Sequence, residues 1–352
     1  MAYTTINKST DNFNTVLYTG TDASKSVTGV GFQPDFTWIK CRSNGGSNTF
    51  AHILTDAVRG VNETLFSNEN DGELANHSQG YLSAFGADGF TVTGQDGTSG
   101  VGRTYVGWNW KANGQGSSNT DGSINTTYTS VNTTAGFSIS KYTGTGSNAT
   151  VGHGLGAAPK MVIIKKTSGA DDWKVYHASV GATKSLVLQG NNAETSDSTS
   201  FNNTAPTTSV FSVGTSSATN TSGQTYIAYC FAEKTGYSKF GSYTGNGNND
   251  GTFVYTGFAP AFLLLKETSA GTNDSWFILD NKRNTYNPKS KNLRPNSNDA
   301  EADSVWMIVD FLSNGFKIND DDASINESGK NYIYMAIGQS LVGSNNVPCI
   351  AR

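Results

Sequence analysis

The sequence predicts an all-β protein made of three tandem antiparallel β-sandwich domains of jelly-roll type. Three observations predict this fold class. The chain of 352 residues has 40 glycines and no amphipathic pattern at helical period longer than a few residues. One motif occurs three times along the chain. Each copy ends in a strand-like segment whose side chains alternate between large and small.

The repeated motif begins with Tyr-Thr-Gly and ends with a lysine that lies six residues after a proline. Its landmarks are Tyr18, Pro34 and Lys40, then Tyr142, Pro159 and Lys165, then Tyr243, Pro260 and Lys266. Because proline cannot donate a ladder hydrogen bond, we place each proline just before a strand. The apolar run that follows predicts a central strand, covered on both faces.

The last strand of each copy carries large apolar side chains on one face. These are Val106, Trp108 and Trp110, then Ile227, Tyr229 and Phe231, then Ile333, Met335 and Ile337. The opposite face carries Tyr105, Tyr226 or Tyr332 with small neighbours. Since side chains alternate along a strand, this pattern predicts a central strand packed against a second layer. We expect Trp38, Trp108 and Trp110 in the core.

The domain boundaries follow from the repeat spacing. We expect a polar N-terminal arm (1–12), unit 1 (13–112), a linker (113–135), unit 2 (136–235), unit 3 (236–340) and a C-terminal tail (341–352). The arm would be disordered in a lone domain, or would dock on a neighbour in an assembly. The linker is rich in Gly, Ser, Asn and Thr, and its weak alternation near Tyr128 indicates an edge strand. Units 2 and 3 have almost no spacer, which favours a rigid pair.

Composition excludes several function classes. The net charge is −4 without a basic stripe, so nucleic-acid binding is not expected. No apolar run approaches a membrane span, and the N-terminus lacks a signal layout. Charged residues make up only 15% of the chain, which leaves a surface of amides and hydroxyls. Surfaces of this kind are common on adhesins and virus particles.

A candidate polar site occurs in units 1 and 3. Asp56 and Arg59 match Asp280 and Arg283, and each pair is followed by Leu-x-x-Asn and a glutamate, with Asn68 and Asn296 as the asparagines and Glu73 and Glu301 as the glutamates. Unit 2 keeps Leu188, Asn191 and Glu194 but lacks Asp-x-x-Arg. One interpretation is a site for calcium or a sugar. The favoured alternative is a structural Asp–Arg pair that orders a loop, since such networks are common.

Two tryptophans are candidate platforms for sugars. Trp173 and Trp276 follow turns rich in Gly, Asp and Asn, so we expect them to be exposed. The three cysteines occupy non-equivalent positions and predict no disulfide framework, and Cys230 is expected to be a buried hydrophobe.

No motif indicates an enzyme. Asp56 with Glu73, or Asp280 with Glu301, resembles a glycosidase pair only in residue type. The same pairing in two units argues against a single evolved active site. The four histidines show no ligand spacing, and neither a metal nor a cofactor is predicted.

Longer motifs carry a resemblance to a known family. They are Asp121-Gly122-Ser123-Ile124, Tyr142-Thr143-Gly144-Thr145-Gly146, Gly152-His153-Gly154-Leu155-Gly156, Asp172-Trp173-Lys174-Val175-Tyr176-His177 and Tyr226-Ile227-Ala228-Tyr229-Cys230-Phe231. They resemble a repeat that is widespread in virion structural proteins of marine tailed bacteriophages. The resemblance covers nearly the whole chain and implies a particle component, with no catalytic residues to transfer.

We therefore expect a structural component of a bacteriophage virion, made in the host cytoplasm. The leading expectation is a surface-exposed tail-fibre or appendage protein that contributes to host-surface recognition. Its expected partners are other virion proteins of the tail or capsid, a host cell-surface glycan, and further copies of itself, with a homotrimer as one form. Two alternatives stay open: a capsid decoration protein that stabilises the head, and a glycan-binding or depolymerising module. Neither heptads nor a repetitive shaft supports a fibre.

Overall fold

The computed structural model describes residues 4–43, 49–269 and 274–341, and the regular secondary structure of these residues is almost entirely antiparallel strands. The prediction of an all-β protein is confirmed. The predicted tail lies outside the described residues except for Leu341.

The elements repeat in the same order in the three units. The N-terminal arm holds a 3-10 turn at Ser9–Asp11. Unit 1 contains β1 (Phe13–Thr19), β2 (Lys25–Thr28), β3 (Phe36–Cys41), β4 (Ile53–Asp56), β5 (Glu63–Phe66), β6 (Leu74–Ala75), β7 (Leu82–Gly86), β8 (Gly89–Val92) and β9 (Thr104–Trp110). β10 (Tyr128–Asn132) precedes unit 2, which contains β11 (Phe137–Thr143), β12 (Ala149–Gly152), β13 (Met161–Lys166), β14 (Lys174–His177), β15 (Lys184–Val187), β16 (Thr195–Ser196), β17 (Val210–Val213), α1 (Ser217–Asn220) and β18 (Thr225–Phe231). Unit 3 contains β19 (Ser238–Thr244), β20 (Phe253–Tyr255), β21 (Pro260–Glu267), β22 (Trp276–Asp280), β23 (Lys291–Asn292), β24 (Ala302–Asp303), β25 (Val309–Leu312), β26 (Gly315–Ile318), α2 (Ala323–Asn326) and β27 (Asn331–Gly338).

Each unit has two layers. The larger sheet has the order β1-β9-β3-β4-β5-β6 in unit 1, β10-β11-β18-β13-β14-β15-β16 in unit 2 and β19-β27-β21-β22 in unit 3. The smaller sheets are β2-β8-β7, β12-β17 and β20-β26-β25. A local apolar core lies between the two sheets of each unit. Pro34 and Pro159 precede β3 and β13, as predicted. Pro260 instead is the first residue of β21 and lies beside a register shift in its pairing with β27.

The Tyr-Thr-Gly motif has a structural explanation in a stacked tyrosine pair. The rings of Tyr18 and Tyr105 lie 5.0 Å apart, and the equivalent pairs in units 2 and 3 lie 5.3 and 4.9 Å apart. The Tyr18 hydroxyl donates to the Thr98 carbonyl at 2.8 Å, and the Tyr105 hydroxyl donates to the Asp96 carbonyl at 2.5 Å. Both bonds hold the turn between β8 and β9, so the two tyrosines stabilise the end of the unit.

A fourth apolar core joins the three units. It contains the large apolar face predicted for β9, β18 and β27, together with Trp38. The ring of Trp110 contacts aromatic rings of all three units at centroid distances of 4.8 to 6.4 Å: Phe13, Phe36, Phe137, Phe231 and Phe262. Trp38, Trp108 and Trp110 are buried, as predicted.

The exposed area shows that the units form one body. The chain of 37.3 kDa exposes 12,887 Å². A compact monomer of this mass exposes about 13,700 Å², whereas three separate bodies of one third the mass would expose about 18,000 Å². The units are therefore packed together, and the packing expected of units 2 and 3 includes unit 1.

The segments outside the units also pack on the chain. β10 forms an edge strand on β11, so part of the predicted linker belongs to the sheet of unit 2 and the predicted edge strand is confirmed. In the arm, Ile6 is buried in the shared core and the Asn7 carbonyl accepts from the Leu341 N–H at 2.8 Å. The arm thus docks on its own chain, which differs from both expectations.

Replacing Trp110 by alanine is expected to destabilise the three units together. Deleting a buried tryptophan typically costs about 3–5 kcal/mol, and this ring contacts all three units. Guanidinium unfolding followed by circular dichroism should show a single transition at lower denaturant. Tyr255→Ala, at a side chain that is 61% exposed, is the control. Separate transitions for unit 1 and the rest would contradict the shared core.

Candidate functional site

The Asp-x-x-Arg residues lie where one unit contacts the next. Asp56 ends β4, and its Oδ1 accepts from the backbone N–H groups of Val58 and Arg59 at 3.1 and 2.8 Å. Its Oδ2 accepts from Arg59 Nε at 2.5 Å and from the Tyr229 hydroxyl of unit 2 at 2.7 Å. The buried carboxylate therefore has both oxygens bonded within the chain.

Arg59 is equally committed. Its Nη2 donates to the Leu54 carbonyl at 2.8 Å and its Nη1 to Glu73 Oε2 at 3.1 Å. Burial alone would lower the pKa of Arg59, but the charges of Asp56 and Glu73 raise it above its ordinary value. The pair Asp56 and Glu73 is thus joined through a buried guanidinium rather than facing a cleft.

Unit 3 repeats this arrangement towards unit 1. Asp280 accepts from Arg283 Nε at 2.5 Å and from the Trp108 indole Nε1 at 3.1 Å, and Arg283 Nη1 donates to Glu301 at 3.2 Å. Burial would raise the pKa of Asp280, but Arg283 and the hydrogen bonds outweigh it and hold the pKa below its usual value.

His177 occupies the equivalent position in unit 2. It pairs with Met161 in the register in which Asp56 pairs with Phe36 and Asp280 with Phe262. His177 Nδ1 accepts from the Ser179 N–H at 3.2 Å, which leaves Nε2 to donate to the Tyr334 carbonyl of unit 3 at 3.2 Å. Burial lowers the pKa of His177 to about 4.

The three contacts form a closed cycle. Asp56 of unit 1 contacts Tyr229 of unit 2. His177 of unit 2 contacts Tyr334 of unit 3, and Asp280 of unit 3 contacts Trp108 of unit 1. Because the end of β4, β14 or β22 meets the last strand of another unit at each junction, the units are related by an approximate threefold arrangement. Sequence reasoning missed the cycle, although His177 stands at the strand position of the two aspartates.

The asparagines Asn68 and Asn296 hold the start of the adjacent strand. Asn68 Oδ1 accepts from the His52 N–H at 2.9 Å, and Asn296 Oδ1 accepts from the Trp276 N–H at 3.0 Å. In unit 2 the same bond, at 2.9 Å, runs from the Trp173 N–H to Gln189 Oε1. The match of Asn191 to these asparagines was therefore wrong, because the amide is one methylene longer and two positions earlier.

The expectation that Trp173 and Trp276 are exposed is also wrong. Both side chains are fully buried. The Trp173 indole donates to the Phe66 carbonyl of unit 1 at 3.0 Å, and the Trp276 indole donates to the Val187 carbonyl of unit 2 at 2.9 Å. Each ring packs beneath a neighbouring unit with its N–H bonded, so neither is a platform for a sugar.

The repeated lysine has the same kind of role. The Nζ atoms of Lys40, Lys165 and Lys266 donate to carbonyls of the next unit at 3.0, 3.1 and 3.2 Å, with Asn298, Asn70 and Asn191 as acceptors. Burial lowers the pKa of each lysine to about 8. These ammonium groups therefore satisfy loop carbonyls that are buried at the junctions.

Backbone hydrogen bonds also cross the same junctions. The N–H groups of Glu73, Glu194 and Glu301 donate to carbonyls of the adjoining units at 2.8, 3.2 and 2.9 Å. The third junction adds a two-point ion pair between Arg42 and Glu301, at 2.9 and 2.8 Å. The candidate site is thus a set of contacts between units, and its polar groups are bonded to one another.

Comparison with known proteins places the chain in a family. A family model described as a domain of unknown function, DUF7483, matches residues 8–340. The chain belongs to the DUF7483 family. No curated protein and no solved structure shows a significant match to it. Since the match spans all three units, the DUF7483 domain corresponds to the closed arrangement rather than to one repeat.

Among the described residues, no group of three or more His, Cys, Asp or Glu side chains is placed to hold a metal ion. In the same part of the chain, no helix is long and apolar enough to cross a membrane.

Replacing Arg283 by methionine is expected to destabilise the DUF7483 domain by about 3–5 kcal/mol. The change leaves the Asp280 carboxylate buried without its partner, whereas the lost volume is small. Chemical denaturation measures the loss. Asp250→Asn, which removes an ion pair at a residue that is 87% exposed, is the matched control and should change stability by less than about 1 kcal/mol. A loss of that small size for Arg283→Met would show that the pair is not buried.

The DUF7483 domain is expected to lose stability on acidification because of His177. Its pKa is about 4 in the folded chain and about 6.5 when unfolded, so the unfolded state binds more protons between these values. The contribution of neutral His177 to the free energy of unfolding is fully present above pH 6.5. It falls by about 3 kcal/mol as the pH is lowered towards 4. His177→Gln keeps a donor for the Tyr334 carbonyl and should flatten this part of the profile. An unchanged slope would assign the acid sensitivity to other groups.

Proposed function

We propose that the chain is a structural component of a bacteriophage virion, exposed as a tail-fibre or appendage protein that contributes to host-surface recognition. The observation that carries the proposal is the closed packing of three copies of one β-unit around a shared core. The resemblance of its motifs to a repeat of virion proteins of marine tailed phages supports it.

The distribution of charge supports a role as building material. Arg59, Arg283 and Lys165 are buried and bonded to groups of their own chain. A charged group that acts in catalysis has to meet a substrate in a cleft. Here Lys165 bonds a carbonyl of unit 1, and the two arginines hold the aspartates that accept from neighbouring units.

The surface chemistry supports a contact with a host glycan. Only 15% of the residues are charged, so the surface offers mainly amides and hydroxyls. The proposed partners are other virion proteins, further copies of the chain and a host cell-surface glycan. The proposed location is the virion, after synthesis in the host cytoplasm.

A second candidate is a capsid decoration protein that stabilises the head. The compact body and the approximate threefold arrangement favour it, since three similar faces match a position where three shell subunits meet. The arm and the end of unit 3 lie together through Asn7 and Leu341, which gives one end of the body a distinct surface.

Mass spectrometry of purified particles and immunogold labelling of intact particles test both candidates. We expect the chain in particles, with label at the tail. Label over the head faces would contradict the appendage role and favour the capsid decoration protein. Absence of the chain from particles that are otherwise complete would overturn the virion role.

A further inference from the structure

Unit 1 has an open cleft of about 560 Å³ on its outer side. Four connections form its walls. They are the β1–β2 turn with Asp22, the residues before β4 with Thr49 and Phe50, the β6–β7 connection with Ser78 and Gln79, and residues 94–96 after β8. The volume lies within the range of about 300–1,000 Å³ that is usual for ligand sites.

The cleft presents polar groups without partners. The side chains of Ser78, Gln79 and Gln95 are exposed and form no hydrogen bond with the described residues. Asp22 has φ +58, and its Oδ1 accepts from the Val101 N–H at 3.2 Å, which directs a carboxylate from a backbone conformation that few side chains adopt. Asp96 is held by two bonds from Arg103, at 3.2 and 3.3 Å.

The corresponding connection of unit 2 is shorter, and its hydroxyls are already bonded. The Ser200 carbonyl accepts from the Gly214 N–H as the Tyr81 carbonyl accepts from the Thr93 N–H, so unit 2 has two residues fewer between β16 and this point. The hydroxyls of Thr199 and Ser200 donate to Asp197, at 2.9 and 2.6 Å. In unit 3 the connection between β24 and β25 carries Trp306, which is 68% exposed. The free polar set is thus specific to unit 1.

The lining selects one class of ligand. Arg103 balances the charge of Asp96, which leaves the Asp22 carboxylate to disfavour an anion, and the described residues hold no cluster for a metal. Phe50 is buried, and the Arg103 guanidinium lies 4.8 Å from its ring centroid, so little apolar surface remains for a lipid or an apolar side chain. Carboxylates accept from hydroxyls, whereas carboxamides donate and accept, which suits a neutral polyhydroxylated molecule.

We propose that the unit 1 cleft binds a neutral saccharide through Asp22, Gln79, Gln95 and Asp96. This inference rests on the proposed role in host-surface recognition and names the place where a host glycan binds. Asp22 and Asp96 accept sugar hydroxyls, and the two glutamines bond the neighbouring oxygens. Units 2 and 3 keep the framework without this binding surface.

A printed array of neutral and anionic bacterial surface oligosaccharides tests the cleft with the full chain. We expect binding to neutral members, followed by titration calorimetry with the oligosaccharide that binds best. The double variant Gln79→Ala/Gln95→Ala should weaken binding by about tenfold or more, since two hydrogen-bonding groups are lost. Gln115→Ala, at an exposed glutamine outside the cleft, should bind as the unchanged chain does.

The unfolding midpoints of both variants show whether the fold is intact. We expect unchanged midpoints, because the substituted side chains are exposed. Equal binding by the double variant would place the glycan elsewhere and overturn the cleft. Binding to no array member, or to anionic members alone, would also overturn it. Particle labelling tests the virion role separately. If the chain is found in particles but binds no saccharide, the cleft proposal fails and the virion role stands.

Discussion

The apolar faces of β9, β18 and β27 meet in one core, and their burial decides where the other elements lie. Each large sheet has one face towards this core and the other towards its own small sheet. A strand covered on both faces reads as a continuous apolar run, which is the pattern found after each proline. The loops that carry polar side chains are consequently either buried at a junction between units or exposed to solvent.

The junctions explain why the same polar residues recur. Bringing three sheets together buries loop carbonyls and strand ends, and each buried group needs a partner. Lys40, Lys165 and Lys266 supply donors at equivalent places. Buried ion pairs add little net stability once desolvation is included, so Arg59 chiefly holds Asp56 where it accepts from Tyr229 of unit 2.

Much of the fold was predictable because alternation and repetition are local signals. The face of Trp108 and Trp110 and the edge strand β10 follow from period-two patterns, and the position of the prolines follows from their missing N–H donor. The burial of Trp173 was not predictable in this way, because a turn-rich context reports on the chain nearby and not on a neighbouring unit that covers it. Gln189 was missed because the Leu-x-x-Asn spacing pointed to Asn191. The amide that accepts from the Trp173 N–H is set by its position in space and not by that spacing.

Joining the three units in one polypeptide changes how the assembly behaves at low concentration. A trimer of separate chains comes apart on dilution, whereas covalently linked copies stay together at any concentration. Each copy also has its own codons, so a side chain such as Gln79 can change in one copy while the other two keep their junction residues. A tethered trio can therefore acquire asymmetry that identical subunits cannot.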